Sequence, residues 1–317
     1  MATDEKTIAF YRLVKYDASG NKPMEHANWY DILTQLDGLD LEGRTTKVGD
    51  RMLIGEVYYH GERAQLKLAK VRDVAAWLGL LKSGATSLED FETEEGNKLY
   101  EISVVSFLDF GNLIGLVQGS AASPTPSAVA EWFDELKIFT GVHLIAEAVL
   151  TDAAREQLQK SPEVSRIETK VSTTKAQALT NRGSRLGSVL TRVNDEFGPV
   201  TVTLIIQTSR AKENHEGRQI MRDEAGHLAA AASESEVSKA KAQLIHIDAD
   251  EKTHSEKVDF LKQRITAKRK IAATDDEGNP IRIVSAVTAI MGVAAEHDSE
   301  LRQAVGVEPA NGNNNES

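Results

Sequence analysis

Phe260-Leu-Lys-Gln-Arg-Ile-Thr-Ala-Lys-Arg-Lys-Ile271 carries five basic residues and no acid. As a helix, Phe260, Leu261 and Ile265 would share a face and the cations would ring the remainder. As a strand, Lys262, Arg264, Lys268 and Lys270 point one way with Thr266 between them, and Leu261, Ile265, Ala267 and Ile271 point toward a core. The alternation fits a period of two better than 3.6, so a strand is predicted over Val258 to Ala273, with Leu261 and Ile265 buried and Lys262 and Arg264 exposed. Cations about 6–7 Å apart along such a face roughly match the phosphate spacing of a nucleic-acid strand. The competing reading is a solvated sheet face.

Working outward, the chain reads as sheet in its first third and as mixed elements after that. Thr7 to Tyr16 is a strand rich in aromatic and β-branched residues. His26 to Leu36 has helical spacing of Trp29, Ile32, Leu33 and Leu36. Met52 to Tyr59 and Ala64 to Val71 flank His60-Gly-Glu-Arg63 as a hairpin, and Leu99 to Leu108 pairs with Leu113 to Val117 across Asp109-Phe-Gly-Asn112. Gly119 to Ser127 is small, polar and proline-bearing, and reads as a linker. Thr125 or Ser127 caps a helix reaching about Phe139. A strand follows at His143 to Leu150, a short helix from Thr151-Asp152, and another strand at Val164 to Ser172. Thr173 to Phe197 is a long basic helix broken near Arg182–Gly187. Val200 to Gln207 reads as a buried strand. A helix at Gly217 to Ala232, a strand at Val237 to Ile247, the basic strand and a closing helix at Ile283 to Ala304 complete the order. The expected fold is α+β, with mixed, largely antiparallel sheets and packed helices in two lobes. The lobes are 1–118 and 128–308, joined by a linker at 119–127 and followed by a disordered tail at 309–317.

The chain has 317 residues and a formal net charge of -11. Charge is unevenly spread: residues 1–160 hold 25 acids against 16 bases, whereas 161–222 holds ten bases against six acids. An acidic front suppresses indiscriminate polyanion binding while leaving room for a local site behind it. Cysteine is absent, which excludes disulfides, thiolate zinc sites and cysteine nucleophiles. No apolar run approaches the ~20 residues of a membrane span. With no basic, apolar leader at the N-terminus, the cytoplasm is the expected compartment.

Chemistry-bearing motifs are sparse. Gly111, Gly115 and Gly119 are spaced four and four, which fits neither a dinucleotide fingerprint nor a P-loop. His246, Asp248, Asp250 and His254 could gather around a metal, but the polar end of a strand leading into a solvated loop is the favoured reading. Glu163 with Glu168-Thr-Lys170 supplies the residue types of a metal-dependent nuclease at too short a separation. No metal and no cofactor is expected. Two further groups of cations join the basic strand: Lys175, Arg182, Arg185 and Arg192 on the long helix, and Arg210, Lys212, Arg218 and Arg222 after the apolar strand. Few aromatics are interleaved, which disfavours a base-stacking platform and favours phosphate contacts to a duplex. The residues expected to touch DNA are Lys262, Arg264, Lys268, Lys270, Arg182, Arg185, Arg210 and Lys212. The alternatives are a metal-dependent nuclease drawing on Glu163, Glu168, Lys170, Asp248 and Asp250, and a protein–protein adaptor that uses the acidic front.

Phe10-Tyr-Arg12 in the opening strand, the sheet-rich front, and Lys257-Val-Asp-Phe-Leu-Lys-Gln-Arg-Ile265 before a closing helix resemble bacterial and prophage exclusion proteins. The RexA-like phage-exclusion proteins and, more loosely, the DNA-binding subunit of the Kiwa defence system are the nearest in length and element order. The resemblance implies a cytoplasmic, homodimeric, largely non-specific DNA-binding protein acting against phage. It carries over no catalytic residue.

Overall fold

The computed structural model describes residues 3–17, 20–22, 24–72, 79–80, 89–90, 98–209, 214–231, 237–247, 253–275, 277 and 282–308. Its fold is α+β, and the sheets are antiparallel throughout the described pairings. The elements in chain order are β1 (Thr3–Asp17), β2 (Gly20–Lys22), α1 (Trp29–Asp37), β3 (Thr45–Val48), β4 (Arg51–His60), β5 (Arg63–Val71), β6 (Gly79–Leu80), β7 (Glu89–Asp90), β8 (Tyr100–Phe107) and β9 (Leu113–Gln118). There follow α2 (Pro126–Glu135), β10 (His143–Ala148), α3 (Asp152–Lys160), β11 (Glu163–Ser172), a 3-10 turn (Thr173–Lys175), α4 (Ala176–Asn181), α5 (Arg185–Phe197) and β12 (Thr201–Gln207). The chain closes with α6 (His215–Ala230), β13 (Val237–Ile247), β14 (Thr253–Asp259), β15 (Thr266–Ala272), α7 (Arg282–Glu296) and α8 (Asp298–Val305). Among the described residues no helix is long and apolar enough to cross a membrane.

The first sheet is nine-stranded, with the path β10-β1-β9-β8-β5-β4-β3. β1 is long enough to take two partners along one edge: β15 pairs with Thr3–Ala9, and β10 pairs with Tyr11–Tyr16. Its alternating side chains feed two cores. Ala9, Tyr11 and Leu13 join Trp29, Leu33, Trp132 and Phe133 beneath α1 and α2, while Ile8 and Phe10 join Val287, Ile290 and Val293 beneath α7. The sheet is therefore covered on both faces. Asn112, in the left-handed region at φ 53°, closes the β8–β9 turn and fixes the approach to α1. Its side-chain oxygen accepts from the Ala27 amide (2.8 Å) and Trp29 Nε1 (3.2 Å), and its amide donates to the carbonyls of Met24 (3.0 Å) and Glu25 (2.9 Å).

The second sheet has four strands in the order β12-β11-β13-β14. Ile167, Val171, Ala240, Ala242, Leu244 and Val258 pack with Leu186, Leu190, Met221, Ala225 and Leu228 from α5 and α6. Helices cover one face of this sheet, and its other face bears alternating polar side chains.

Three expectations need correction. The strand predicted over Val258–Ala273 is two strands separated by a turn at 260–265. Phe260 belongs to the core of the second sheet and Ile265 to the core beneath α7, so a continuous strand could not bury both. Ile265 is buried and Lys262 exposed as expected, but Leu261 is only partly buried and Arg264 is half-buried.

The segment 119–127 does not join two lobes. Gly119 donates to the Ile102 carbonyl (2.9 Å), and the buried Pro124 carbonyl accepts from Ser103 Oγ (2.7 Å). The chain stays in the first sheet through α2, which starts at the expected cap Thr125, and through β10. It crosses to the second sheet after β10 and returns after β14, so the second lobe is an insertion.

Finally, Val200–Gln207 is not buried. β12 is an edge strand in which only Val202 and Leu204 pack partly against the core, while Ile205 is 52% and Ile206 38% exposed.

Gly55 in β4 faces the Trp132 ring so closely that a Cβ would overlap its six-membered portion. Trp132 is fully buried and donates from Nε1 to the Arg44 carbonyl (3.1 Å), so the ring cannot swing away without losing that bond. Gly55→Ala is expected to lose about 1–3 kcal/mol in urea unfolding, as overpacked cores do. Alanine at this strand position would otherwise be neutral or stabilising.

Candidate nucleic-acid interface

The open face of the second sheet is built from side chains that alternate with its core residues. The register sets them in rows across the strands. Gln207, Arg166, Gln243 and Lys257 form one row, Ile205, Glu168, Lys241 and Asp259 the next, and Thr203, Lys170 and Lys239 a third. Five cations thus share the face with two carboxylates. Neighbouring strands lie about 4.8 Å apart and alternate residues about 7 Å apart, so the cations form a two-dimensional lattice rather than a stripe.

Within the lattice the carboxylates hold the cations upright. Glu168 is paired with Lys239 and lies 3.9 Å from the Arg166 guanidinium. Arg166 also donates to the Gln207 side-chain oxygen (3.0 Å), and Lys241 pairs with Asp259 at 3.1 Å. The Lys239 hydrogen bond, with the charges of Lys239, Arg166 and Lys257, holds Glu168 below the usual glutamate range. Glu168 is therefore anionic at neutral pH. Lys170 and Lys257 are exposed. A shallow hollow of about 190 Å³ lies among Arg166, Glu168, Lys241, Gln243 and Lys257. None of the side chains in these rows is aromatic, so the face offers charge and hydrogen bonds without a stacking surface.

The residues singled out from sequence are placed differently. Lys268 and Lys270 are exposed on β15, where Lys268 pairs with Glu5 (3.0 Å) and Lys270 lies opposite Glu5. Lys262 is exposed in the turn, and Arg264 donates to the Leu261 carbonyl (3.1 Å) and bridges Leu150 where the chain crosses between the sheets. These four do not make one row. Arg182 is 3% exposed and donates to the Ala146 carbonyl of β10 (3.1 Å), which makes it a brace between the lobes and withdraws it from phosphate. Arg185 is exposed at the start of α5. Arg210 and Lys212 lie outside the described residues.

The nuclease residues do not assemble either. Glu163 is buried against Arg218 and His215 of α6, whereas Glu168 is held by Lys239 on the open face. Burial pushes the Glu163 carboxyl up, but its hydrogen bonds to Arg218 and His215 outweigh burial and leave it below the usual range. Among the described residues no three His, Asp or Glu side chains gather as a metal site; Asp248 and Asp250 lie outside them. A larger hollow of about 600 Å³ opens beside β1, β8 and the start of α7. Its acids are already paired, Asp4 with Lys6 (2.7 Å) and Glu101 with Arg72 (3.0 Å).

None of Arg166, Lys170, Lys239, Lys241 and Lys257 was expected from the sequence to touch DNA; Lys170 entered only the nuclease alternative. A signal for them existed in Arg166-x-Glu168-x-Lys170 and Lys239-x-Lys241, charges at strand period within segments already read as strands. That these strands adjoin, some seventy residues apart, is visible only in the fold. No protein-family model matches the chain, and no curated protein matches it.

The electrostatics of the face can be read directly by NMR. The Glu168 side chain is expected to titrate below an ordinary glutamate, and Lys239→Met is expected to move its midpoint upward. An unchanged midpoint would mean that Lys239 does not hold it.

Proposed function

We propose that this protein binds duplex DNA without sequence readout, through phosphate contacts made by the open face of its second sheet. The observation that carries the reading is the concentration of Arg166, Lys170, Lys239, Lys241 and Lys257 on one sheet face of a chain whose net charge is -11. Opposite charges elsewhere keep non-specific attraction low and direct a polyanion to this face. The absence of aromatic side chains from it favours backbone contacts over stacked single strands. Glu168 and Asp259 pre-order the lysines and arginine, so less side-chain freedom is lost on binding. The resemblance of the chain to phage-exclusion proteins supports a role for such binding in defence against phage.

Between three and five neutralised phosphates give a log–log salt slope of about -2.7 to -4.5. Raising salt from roughly 50 to 200 mM is then expected to weaken a gel shift by about 40-fold to 500-fold. The double variant Lys170→Gln/Lys257→Gln should lose affinity for all duplexes alike and flatten the slope by about 1.8. Glu168→Gln should act in the opposite sense, binding several-fold more tightly with a slope steeper by about one. Equal effects of the two variants, or no salt-dependent shift by the wild type, would remove the reading. Loss of plasmid only when Mg²⁺ is present would replace it with a nuclease.

A further inference from the structure

We infer that β12 is the contact through which two copies of this chain join, edge to edge and antiparallel, into one continuous sheet. β12 ends the four-stranded sheet, and no strand among the described residues pairs with its outer side. The ladder to β11 shows which groups face outward. Thr208 donates to the Ser165 carbonyl (2.9 Å), and Thr173 donates to the Val200 carbonyl (2.8 Å). In this register the even residues Val202, Leu204 and Ile206 exchange hydrogen bonds with β11. Thr201, Thr203, Ile205 and Gln207 therefore turn their N–H and C=O groups to the open edge.

Such an edge is a template for another strand, and proteins ordinarily blunt it with charge, proline or a bulge. Thr201-Val-Thr-Leu-Ile-Ile-Gln207 contains neither proline nor charge, and its register with β11 runs without a shift. The opposite edge of the same sheet, β14, is protected: it reads Thr253-His-Ser-Glu-Lys-Val-Asp259, with His254, Glu256 and Lys257 exposed. Phe197, just before the strand, is 74% exposed, and Val200, Ile205 and Ile206 are exposed as well.

The strand's own sequence points to a second copy as its partner. A two-fold axis through Leu204 places Thr203 opposite the other copy's Ile205, Thr201 opposite Gln207, and Val202 opposite Ile206. Residues 203 and 205 are both outward-bonding, as are 201 and 207, so every outward N–H and C=O from 201 to 207 finds a partner in this one register. One row of facing side chains is wholly apolar, and the other pairs threonine with isoleucine or glutamine. Two copies of net charge -11 repel at most surfaces, and this strand brings no charge against its twin. The two-fold of an antiparallel pair is perpendicular to the sheet, so both copies present the same face to the same side. Resting on the proposed DNA reading, this joins the two cationic faces into one surface of doubled width.

Sedimentation velocity at micromolar concentration tests the interface directly. The wild type is expected at twice 34.6 kDa. Thr203→Pro removes an outward N–H and none from the β11 ladder, and Ile205→Lys sets a charge on the edge. Each is expected to sediment as a monomer with unchanged circular dichroism, and Ile205→Lys serves if the proline variant does not fold. A monomeric wild type, or a dimer that persists in a folded Ile205→Lys variant, overturns the interface; an extended peptide pairing with the monomer's β12 would then be its occupant. In the same samples monomeric Thr203→Pro, which leaves the charges of the face as they are, is expected to retain DNA binding with about half the salt slope; Ile205→Lys adds a cation to that face and reports on the oligomeric state alone. A β12 dimer that ignores DNA would retain the interface and sink the proposed function, whereas salt-sensitive binding by a monomeric wild type would do the reverse.

Discussion

Two chain crossings held side by side organise this molecule. Leaving β10, Val149 accepts from the Ile265 amide (2.9 Å) and Thr151 donates to the Gln263 carbonyl (2.8 Å) of the returning chain. Phe10 of β1 locks both, accepting from the Val149 amide (3.1 Å) and donating to the Ile265 carbonyl (3.4 Å). At that point β1 exchanges one edge partner, β15, for the other, β10. These bonds set the start of the ladder by which β15 lies beside a strand some 260 residues earlier, and β15 is one of the strands on which α7 packs. The long-range closure is entropically costly, and burial of Phe10 and Ile265 in the core beneath α7 offsets it.

Lateral contacts stiffen the crossing. Arg182 reaches from the second lobe to the Ala146 carbonyl, Arg155 donates to the Gln303 carbonyl (2.9 Å), and Glu300 accepts from the Asp152 amide (3.2 Å). Arg182, expected from the sequence to touch DNA, thus serves as a donor to a backbone carbonyl in the structure. The guanidinium nitrogens that donate to these carbonyls are not available to a ligand.

The two lobes differ in how they complete their sheets, and that difference places the candidate interface. The first sheet is covered by helices on both faces, leaving little flat polar surface. The second has helices on one face, so its strands alternate between an apolar row and a charged one. Open face and open edge are therefore features of the same lobe, and both follow from its two-layer construction.

Periodicity and local turn chemistry were enough to read most elements from the sequence. The hairpin across Gly61, the cap at Thr125, the break in the helix near Gly183 and the strand at Val237–Ile247 are set by neighbours within a few residues. The α+β class follows from them. What the sequence could not supply was which segments meet. Phe260 and Ile265 read as one strand because their spacing is local, but they bury in different cores. Val200–Gln207 read as buried because its residues are apolar, but burial depends on position in a sheet, and this strand lies at the edge. The same limit governed the site. The alternating charges of Arg166, Glu168 and Lys170 and of Lys239 and Lys241 were legible separately, while their assembly into one face is a matter of register between distant strands. Local sequence determines how a segment bends and which side of it is apolar; only tertiary packing decides what that side is buried against, and which charges are left together in solvent.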